Sequence, residues 1–427
     1  MAEIVTRLTG DPQLESRLNG IYSVCSAHPW VVEASIRQAL DDCSPLLVES
    51  TSNQVDQYGG YTGMMPADFV RFVGGIADKV GFPRQRLLLG GDHLGPNAWR
   101  HLPAEEAMAR ADALIEAYAA AGFKKIHLDT SMSCADDPPR LADEVVAERA
   151  ARLCAVAESA TERAGLRERP VYIVGTEVPV PGGASEELVA VEVTRPQAAL
   201  ETVAVHCVAW QKRGLDAAWE RVVGLVVQPG VEFDHTKVMD YDSSSVSELS
   251  RVLNDLPGMV FEAHSTDYQK PEALSAMVRD GFAILKVGPG ATFALREALF
   301  ALADIEDQLL APDARSNIRA VVERVMLAKP NNWAKYYHGS EQEKRLLRTF
   351  SYSDRVRYYW ADAEVAEATK KLVGNLERVD IRENLISQYL PNQYRQLRCG
   401  LIDDSPMSLI FSKVREVIGA YAAACRT

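Results

Sequence analysis

Nowhere do the 427 residues form an uncharged apolar run of the roughly 18 that a membrane span requires. The opening stretch, MAEIVTRLTGDPQ, has no apolar core of a secretory signal, so neither export nor membrane insertion is expected. Cysteine is scarce: seven residues, at 25, 43, 134, 154, 207, 399 and 425, scattered and without a Cys-x-x-Cys pair. This argues against a disulfide framework and predicts reduced, mostly buried thiols in a cytoplasmic protein. Basic side chains are outnumbered, 46 Lys and Arg against 59 Asp and Glu, for a net charge of −13. A nucleic-acid partner calls for the opposite balance, whereas an anionic small substrate needs only a few local groups. Gly-x-x-x-x-Gly-Lys-Ser/Thr is absent and GPGATF lacks the third glycine of a dinucleotide fingerprint, so neither ATP nor NAD is expected as a cofactor. A Gly-x-Ser-x-Gly elbow is missing too, which removes the usual signal for serine hydrolysis.

What the sequence does contain is a rhythm. Short apolar runs end in polar or glycine-rich residues, and an amphipathic segment of helix length follows each one. The runs are GIYSVCSAH (20–28), SPLLVESTSN (44–53), RLLLGGDHLGPN (86–97), KKIHLDTSMS (124–133), PVYIVGTEVPVPGG (170–183), RVVGLVVQPGVEFDH (221–235), MVFEAHSTDYQ (259–269) and AILKVGPGATF (283–293). The segment AEEAMARADALIEAYAAAG (104–122) is a representative helix, closed by Gly122. Eight such units, with strands as continuously apolar as buried parallel strands are, predict an α/β fold of the (β/α)8 TIM-barrel type, a doubly wound open sheet being the competing arrangement. The rhythm stops after about residue 303. The expected division is therefore a barrel over 1–304 and a mostly helical C-terminal region over 305–427 that packs on it, with no linker or low-complexity tract between them.

In a parallel barrel the C-terminal ends of all strands share one rim, and catalysis sits there. This chain places His28, Glu49, Asn53, Gln54, Asp92, His93, Asp129, Glu177, Gln228, Glu232, Asp234, His235, Glu262, His264, Asp267 and Lys286 at or just beyond those ends. Four of the eight histidines, 28, 93, 235 and 264, are in that set. A single histidine at a strand end is usually a hydrogen-bonded structural residue. Several from different strands, each near a carboxylate, point to a divalent metal with an open coordination position, Zn²⁺ or a similar ion. Gly288 and Gly290 precede a helix, where backbone N–H groups bind anions, and Lys286 adds a charge; a plain turn is the other reading. The loops 57–66 and 178–183 lie over the rim in either a structural or a substrate role. SDRVRYYW reads as a packed or solvated face, or as a segment through which Arg355 or Arg357 reaches a phosphate.

Together, SVCSAHPWVVEASIRQAL, ESTSNQVDQYGGYTGMMPADF, GGDHLGPNAW, KKIHLDTSMSCADDP, GTEVPVPGGA, VVQPGVEFDH, FEAHSTDYQ and ILKVGPGATFALREALF resemble the non-catalytic subunit family of class II D-tagatose-bisphosphate aldolase, the GatZ/KbaZ type. YSDRVRYYW and LISQYLP extend the likeness into the C-terminal region. The resemblance implies a barrel protein of hexitol and amino-sugar catabolism. Some relatives support a separate class II aldolase catalytic chain, and others act alone as D-tagatose 6-phosphate 4-epimerases. The older label, tagatose-6-phosphate kinase, conflicts with the missing nucleotide motifs.

A ketohexose phosphate substrate sets a chemical problem. Its C4 hydrogen is not acidified by the C2 carbonyl, so C4 inverts by cleaving and re-forming C3–C4, which needs a base at O4, an electrophile for the enediolate and an anchor for the phosphate. By analogy with class II aldolases, the resemblance implies His93, His235 and His264 as metal ligands, Asp92 as base and Glu177 as its acid/base partner or a further ligand. Lys286, Gly288, Gly290 and Thr292 would hold the phosphate, with Asn53 and Gln54 as further substrate- or phosphate-binding residues. Proton abstraction by Glu177 or Glu262 would instead invert C3. Asp92 and His93 are adjacent and would face opposite ways on a regular strand, so the pair predicts an irregular strand end, permitted by Gly90 and Gly91. A homo-oligomer is compatible with such a barrel, although no interface is legible.

Overall fold

The computed structural model describes residues 18–176 and 191–426. Eight parallel strands close into a barrel in sequence order: β1 (Ile21–Cys25), β2 (Leu46–Thr51), β3 (Leu87–Leu94), β4 (Lys125–Leu128), β5 (Val171–Val174), β6 (Val222–Val226), β7 (Val260–Ala263) and β8 (Ile284–Val287), with β8 pairing back onto β1. Each lies within one of the eight apolar runs, so the TIM barrel expected from the sequence is the fold. Several of the helices that follow the strands begin with a proline pre-set for a first helical turn, as in Pro29–Asp41, Pro66–Val80, Pro196–Lys212, Pro271–Arg279 and Pro289–Leu309. The helix Ala104–Ala120 ends just before Gly122, whose φ of 84° is one that glycine adopts without strain. After β6 the chain makes a small antiparallel ribbon, Glu232–Phe233 against Val238–Met239.

The helix that follows β8 runs unbroken to Leu309, past the boundary at 304 expected from the fading rhythm. The C-terminal helices pack on the barrel, and the last of them, Pro406–Ala424, lies against Pro29–Asp41, Pro271–Arg279 and Pro289–Leu309. Its end is tied to the start of β1, where the Asn19 and Gly20 amides donate to the Cys425 carbonyl at 2.8 and 3.2 Å. Among the described residues no helix is long and apolar enough to cross a membrane.

Strand alternation divides the barrel interior into layers. Ile21, Leu47, Leu88, Ile173, Val260 and Ile284 belong to a dry inner cluster. Two residues further along three of those strands, on the same inward face, stand Glu49, Glu262 and Lys286. A layer of paired acidic and basic side chains thus replaces the branched apolar layer that usually fills this level of a barrel.

Candidate functional site

The charged layer is built by strand register. Glu49 on β2 aligns with Gly90 on β3, and Gly90 with Lys125 on β4. Because Gly90 has no side chain, the other two meet across it: Lys125 Nζ lies 2.6 Å from Glu49 Oε1 and 2.7 Å from Glu262 Oε2. A Cβ at Gly90 would stand 2.5 Å from Glu49 Oε1, so the glycine is required for space. Lys286 Nζ contacts Glu49 Oε2, sits 2.8 Å from Asp92 Oδ1 and 3.6 Å from Glu262 Oε1. Glu49, Lys125 and Glu262 are fully buried, an environment that would neutralise isolated charges. Pairing reverses that tendency. Burial pushes the Glu262 and Asp92 carboxyls up, but Lys125 and Lys286 at Glu262, and His93 and Lys286 at Asp92, hold both well below the usual range. Against the same desolvation, Asp92 and Glu49 among others lift Lys286 well above the ordinary lysine value.

Three imidazoles meet above this layer. The ring centroids of His93, His127 and His264 are 4.8 to 5.2 Å apart. The irregularity expected at Asp92–His93 is present, but His93 itself carries it, with φ of 49° and a shift in the β3–β4 register between Gly91 and Leu94. A non-glycine residue in this region is strained by about 1–3 kcal/mol, and such strain gathers at functional sites. The turn brings both side chains inward. His93 Nδ1 lies 2.8 Å from Asp129 Oδ2, His127 Nδ1 3.0 Å from Asp92 Oδ1, and His264 Nε2 3.0 Å from Glu262 Oε1. Burial draws His264 down to about 4, whereas at His93 the Asp92 and Asp129 carboxylates outweigh burial and raise the ring.

Asp92, His127, Glu262 and His264 each offer a ligand atom, and the four atoms lie within 4.8 Å of one another. Among the described residues His127 Nε2 is buried without a hydrogen-bond partner, a vacancy that a cation beside the ring would fill. Two imidazoles and two carboxylates are a donor set suited to Zn²⁺ or a similar divalent ion. His127→Ala is accordingly expected to lower the metal content of the purified protein at least tenfold, read by elemental analysis. Unchanged stoichiometry in that variant would remove His127 from the coordination set.

The sequence-based site is rearranged in several places. His264 joins the cluster as expected, and His93 stands beside it, turned to Asp129. His235 does not: its Nε2 is 3.0 Å from the Tyr336 carbonyl, Nδ1 is 3.2 Å from Ser351 Oγ, and its ring meets Tyr337 edge-on, so a C-terminal packing contact occupies both nitrogens. His28 caps the helix Pro29–Asp41 by accepting from Trp30 N. Gly288 N and Gly290 N donate to Asp267 Oδ1 at 2.9 and 2.8 Å, which fills the anion position expected for phosphate. Thr292 Oγ1 donates to Asp354 Oδ2 at 2.6 Å, and Lys286 belongs to the charged floor rather than to a phosphate cradle. Asn53 and Gln54 line the cavity above the floor. Glu177 and the loop 178–183 lie outside the described residues.

Sequence reasoning missed His127 and Lys125, although the signal was there. In KIHL, Lys125 and His127 alternate with Ile126 and Leu128, two polar residues on one face of a strand that should be buried on both.

The cavity above the floor measures about 660 Å³, ample for a hexose phosphate. Asp92, His93, His264, Asp267 and Lys286 line it, together with Arg100, His101, Lys335, Arg355 and Arg357. Tyr61, from the 57–66 loop, meets Tyr358 with ring centroids 4.8 Å apart. The C-terminal region therefore builds part of the site.

Comparison with known proteins identifies the family. The family described as D-tagatose-1,6-bisphosphate aldolase subunit GatZ/KbaZ-like matches residues 9–426. A crystal structure of a probable tagatose 6-phosphate kinase from Sinorhizobium meliloti 1021 is 54% identical, covers 95% of this chain and 100% of its own, and superposes with a TM-score of 0.88. The fructuronate-tagaturonate epimerase UxaE from Cohnella laeviribosi is 11% identical over 95% of this chain and 82% of its own, with a TM-score of 0.49. A fructose-bisphosphate aldolase from Campylobacter jejuni is 13% identical over 88% and 91%, with a TM-score of 0.41.

Proposed function

For a chain that belongs to the GatZ/KbaZ-like family of D-tagatose-1,6-bisphosphate aldolase subunits, we propose that the barrel mouth is an active site that interconverts D-tagatose 6-phosphate and D-fructose 6-phosphate by reversible cleavage of C3–C4. The observation that carries this reading is the packed layer of Glu49, Lys125, Glu262, Lys286 and Asp92 under three clustered imidazoles, open to a cavity of substrate size. Desolvating that many ionised groups costs stability, a cost that a purely structural barrel avoids by filling the same level with apolar side chains.

His93 is the best placed proton carrier at O4. Asp129 fixes its Nδ1 at 2.8 Å, the orientation a base receives from a third group, while the ring reaches the cavity. In cleavage His93 accepts the O4 proton; in recombination, after the aldehyde has turned its other face, it returns it. Asp92, expected from the sequence to be the base, is instead committed to Lys286 and His127 and held strongly ionised, which suits it to balancing charge. The Lys286 ammonium faces the cavity and stabilises negative charge on the three-carbon fragment. Asp92, His127, Glu262 and His264 would hold a divalent ion, which supplies Lewis-acid polarisation of the sugar carbonyl when bound.

The family description itself favours a second reading, a stabilising subunit for a separate aldolase chain. Incubating the purified chain alone with D-tagatose 6-phosphate, with and without chelator, separates the two. Fructose 6-phosphate is expected to form, with chelator suppressing it. If no sugar phosphate is converted while an added aldolase chain gains stability, the subunit reading replaces the epimerase. Transfer of phosphate from ATP is not expected, since the sequence lacks a P-loop.

A further inference from the structure

We propose that the substrate's phosphate monoester is held by Arg355 and Arg357, supplied by the segment after the barrel, and not by the helix N-terminus that follows β8. This deepens the sugar-phosphate reading and rests on it for the identity of the ligand. The helix position is already taken, because Asp267 Oδ1 accepts from both the Gly288 and Gly290 amides. A second anion there would face that carboxylate at van der Waals distance.

The two guanidiniums have the opposite character. Among the described residues neither makes an ion pair with a carboxylate. Arg355 is only 6% exposed; its Nη1 donates to the Asn332 carbonyl at 2.8 Å, its plane lies 3.1 Å over the Tyr336 ring, and its Nε is buried without a partner. Arg357 donates from Nη1 to the Ser353 and Asp354 carbonyls and from Nη2 to Tyr358 Oη at 3.0 Å. The neighbouring carboxylate that would neutralise it, Asp354, is engaged by Thr292 and by Arg296 at 3.3 Å. Carbonyls and a ring thus fix the orientation of both forks, and Asp354 and Asp267 act on Arg357 through space without a direct ion pair, in a protein whose net charge is −13. Tyr358 registers that potential: burial pushes its phenol up, but Arg357 and Arg355 outweigh burial and draw it below the usual range.

The arrangement also orients the substrate. Both arginines and Lys335 attract an anion on the wall formed by the C-terminal segment, whereas the lysines of the floor are already paired with Glu49, Asp92 and Glu262. The phosphate end therefore stays with the arginines, and the sugar carbons reach down to His93, His264 and Lys286.

Inorganic phosphate titrated calorimetrically into the full-length protein tests this without turnover. Arg357→Gln and Arg355→Gln are each expected to weaken binding about tenfold or more, the loss of one charge-assisted contact. Arg357→Lys should recover part of the loss, which a fold defect would not. Asp267→Asn, which frees the Gly288 and Gly290 amides, should not restore binding to Arg357→Gln. Wild-type protein that binds no phosphate, arginine variants that bind like wild type, or Arg357→Gln returned to wild-type affinity by Asp267→Asn would each overturn the proposal. Because no sugar is involved, phosphate held by the arginines without epimerisation would sink only the catalytic reading, and epimerisation insensitive to the arginines only this one.

Discussion

Lys125→Met is expected to cost about 3–5 kcal/mol of folding stability, the penalty typical of removing one partner from a buried ion pair. Lys125 lies between Glu49 Oε1 and Glu262 Oε2, and all three side chains are inaccessible to solvent. Methionine fills a similar volume, so the loss is electrostatic rather than a cavity effect. Both carboxylates would have to share Lys286 or take up protons. Acid should narrow the difference. A carboxyl held below its unfolded value, about 4.3 for glutamate, contributes stability that is complete above that value and is lost as pH falls through the folded one. Glu262 is in this position in the wild type. The wild type should therefore lose stability as the pH drops below about 4, and the variant less. Urea midpoints at neutral and acid pH measure both effects; a variant as stable as wild type at neutral pH would mean that the layer is not ionised as described.

His93→Asn should lower turnover of D-tagatose 6-phosphate by about 10²–10⁴, the range typical of a lost general acid–base group. Asparagine suits the test because it tolerates the left-handed backbone that His93 occupies at φ 49°. The informative contrast is with His127→Ala. His93 has its Nδ1 committed to Asp129, so the asparagine variant should keep its bound metal while losing activity; the His127 variant should lose the metal. Loss of metal from His93→Asn, or unimpaired turnover by it, would refute the division of roles between the two rings.

Much of this site could be read from the strand pattern. The eight apolar runs located every barrel strand, and the rule that polar residues gather at strand C-terminal ends brought out Asp92, His93, Glu262, His264 and Lys286. The errors share a cause. His235 lies nine residues beyond the end of β6, past the turn into a ribbon, where proximity in sequence no longer means proximity to the rim. Gly288 and Gly290 have the composition of an anion cradle, yet Asp267, from the loop after β7, occupies it, and no local pattern encodes a carboxylate arriving from a neighbouring strand. His127 and Lys125 stand within a strand and not at its end, where only their alternation with Ile126 and Leu128 marks an inward polar face. Arg355 and Arg357 enter from a segment with no strand–helix rhythm to place it.

The order in which the strands are made gives the seam between β1 and β8 a further meaning. β1 is the first strand to leave the ribosome and its ring partner β8 the last, so its open edge has no mate until almost the whole barrel has been synthesised. The Cys425 carbonyl that receives the Asn19 and Gly20 amides comes later still in the chain. The growing chain therefore carries an unsealed edge until β8 has emerged, and the site, which draws on both Glu49 of β2 and Lys286 of β8, cannot assemble before that point.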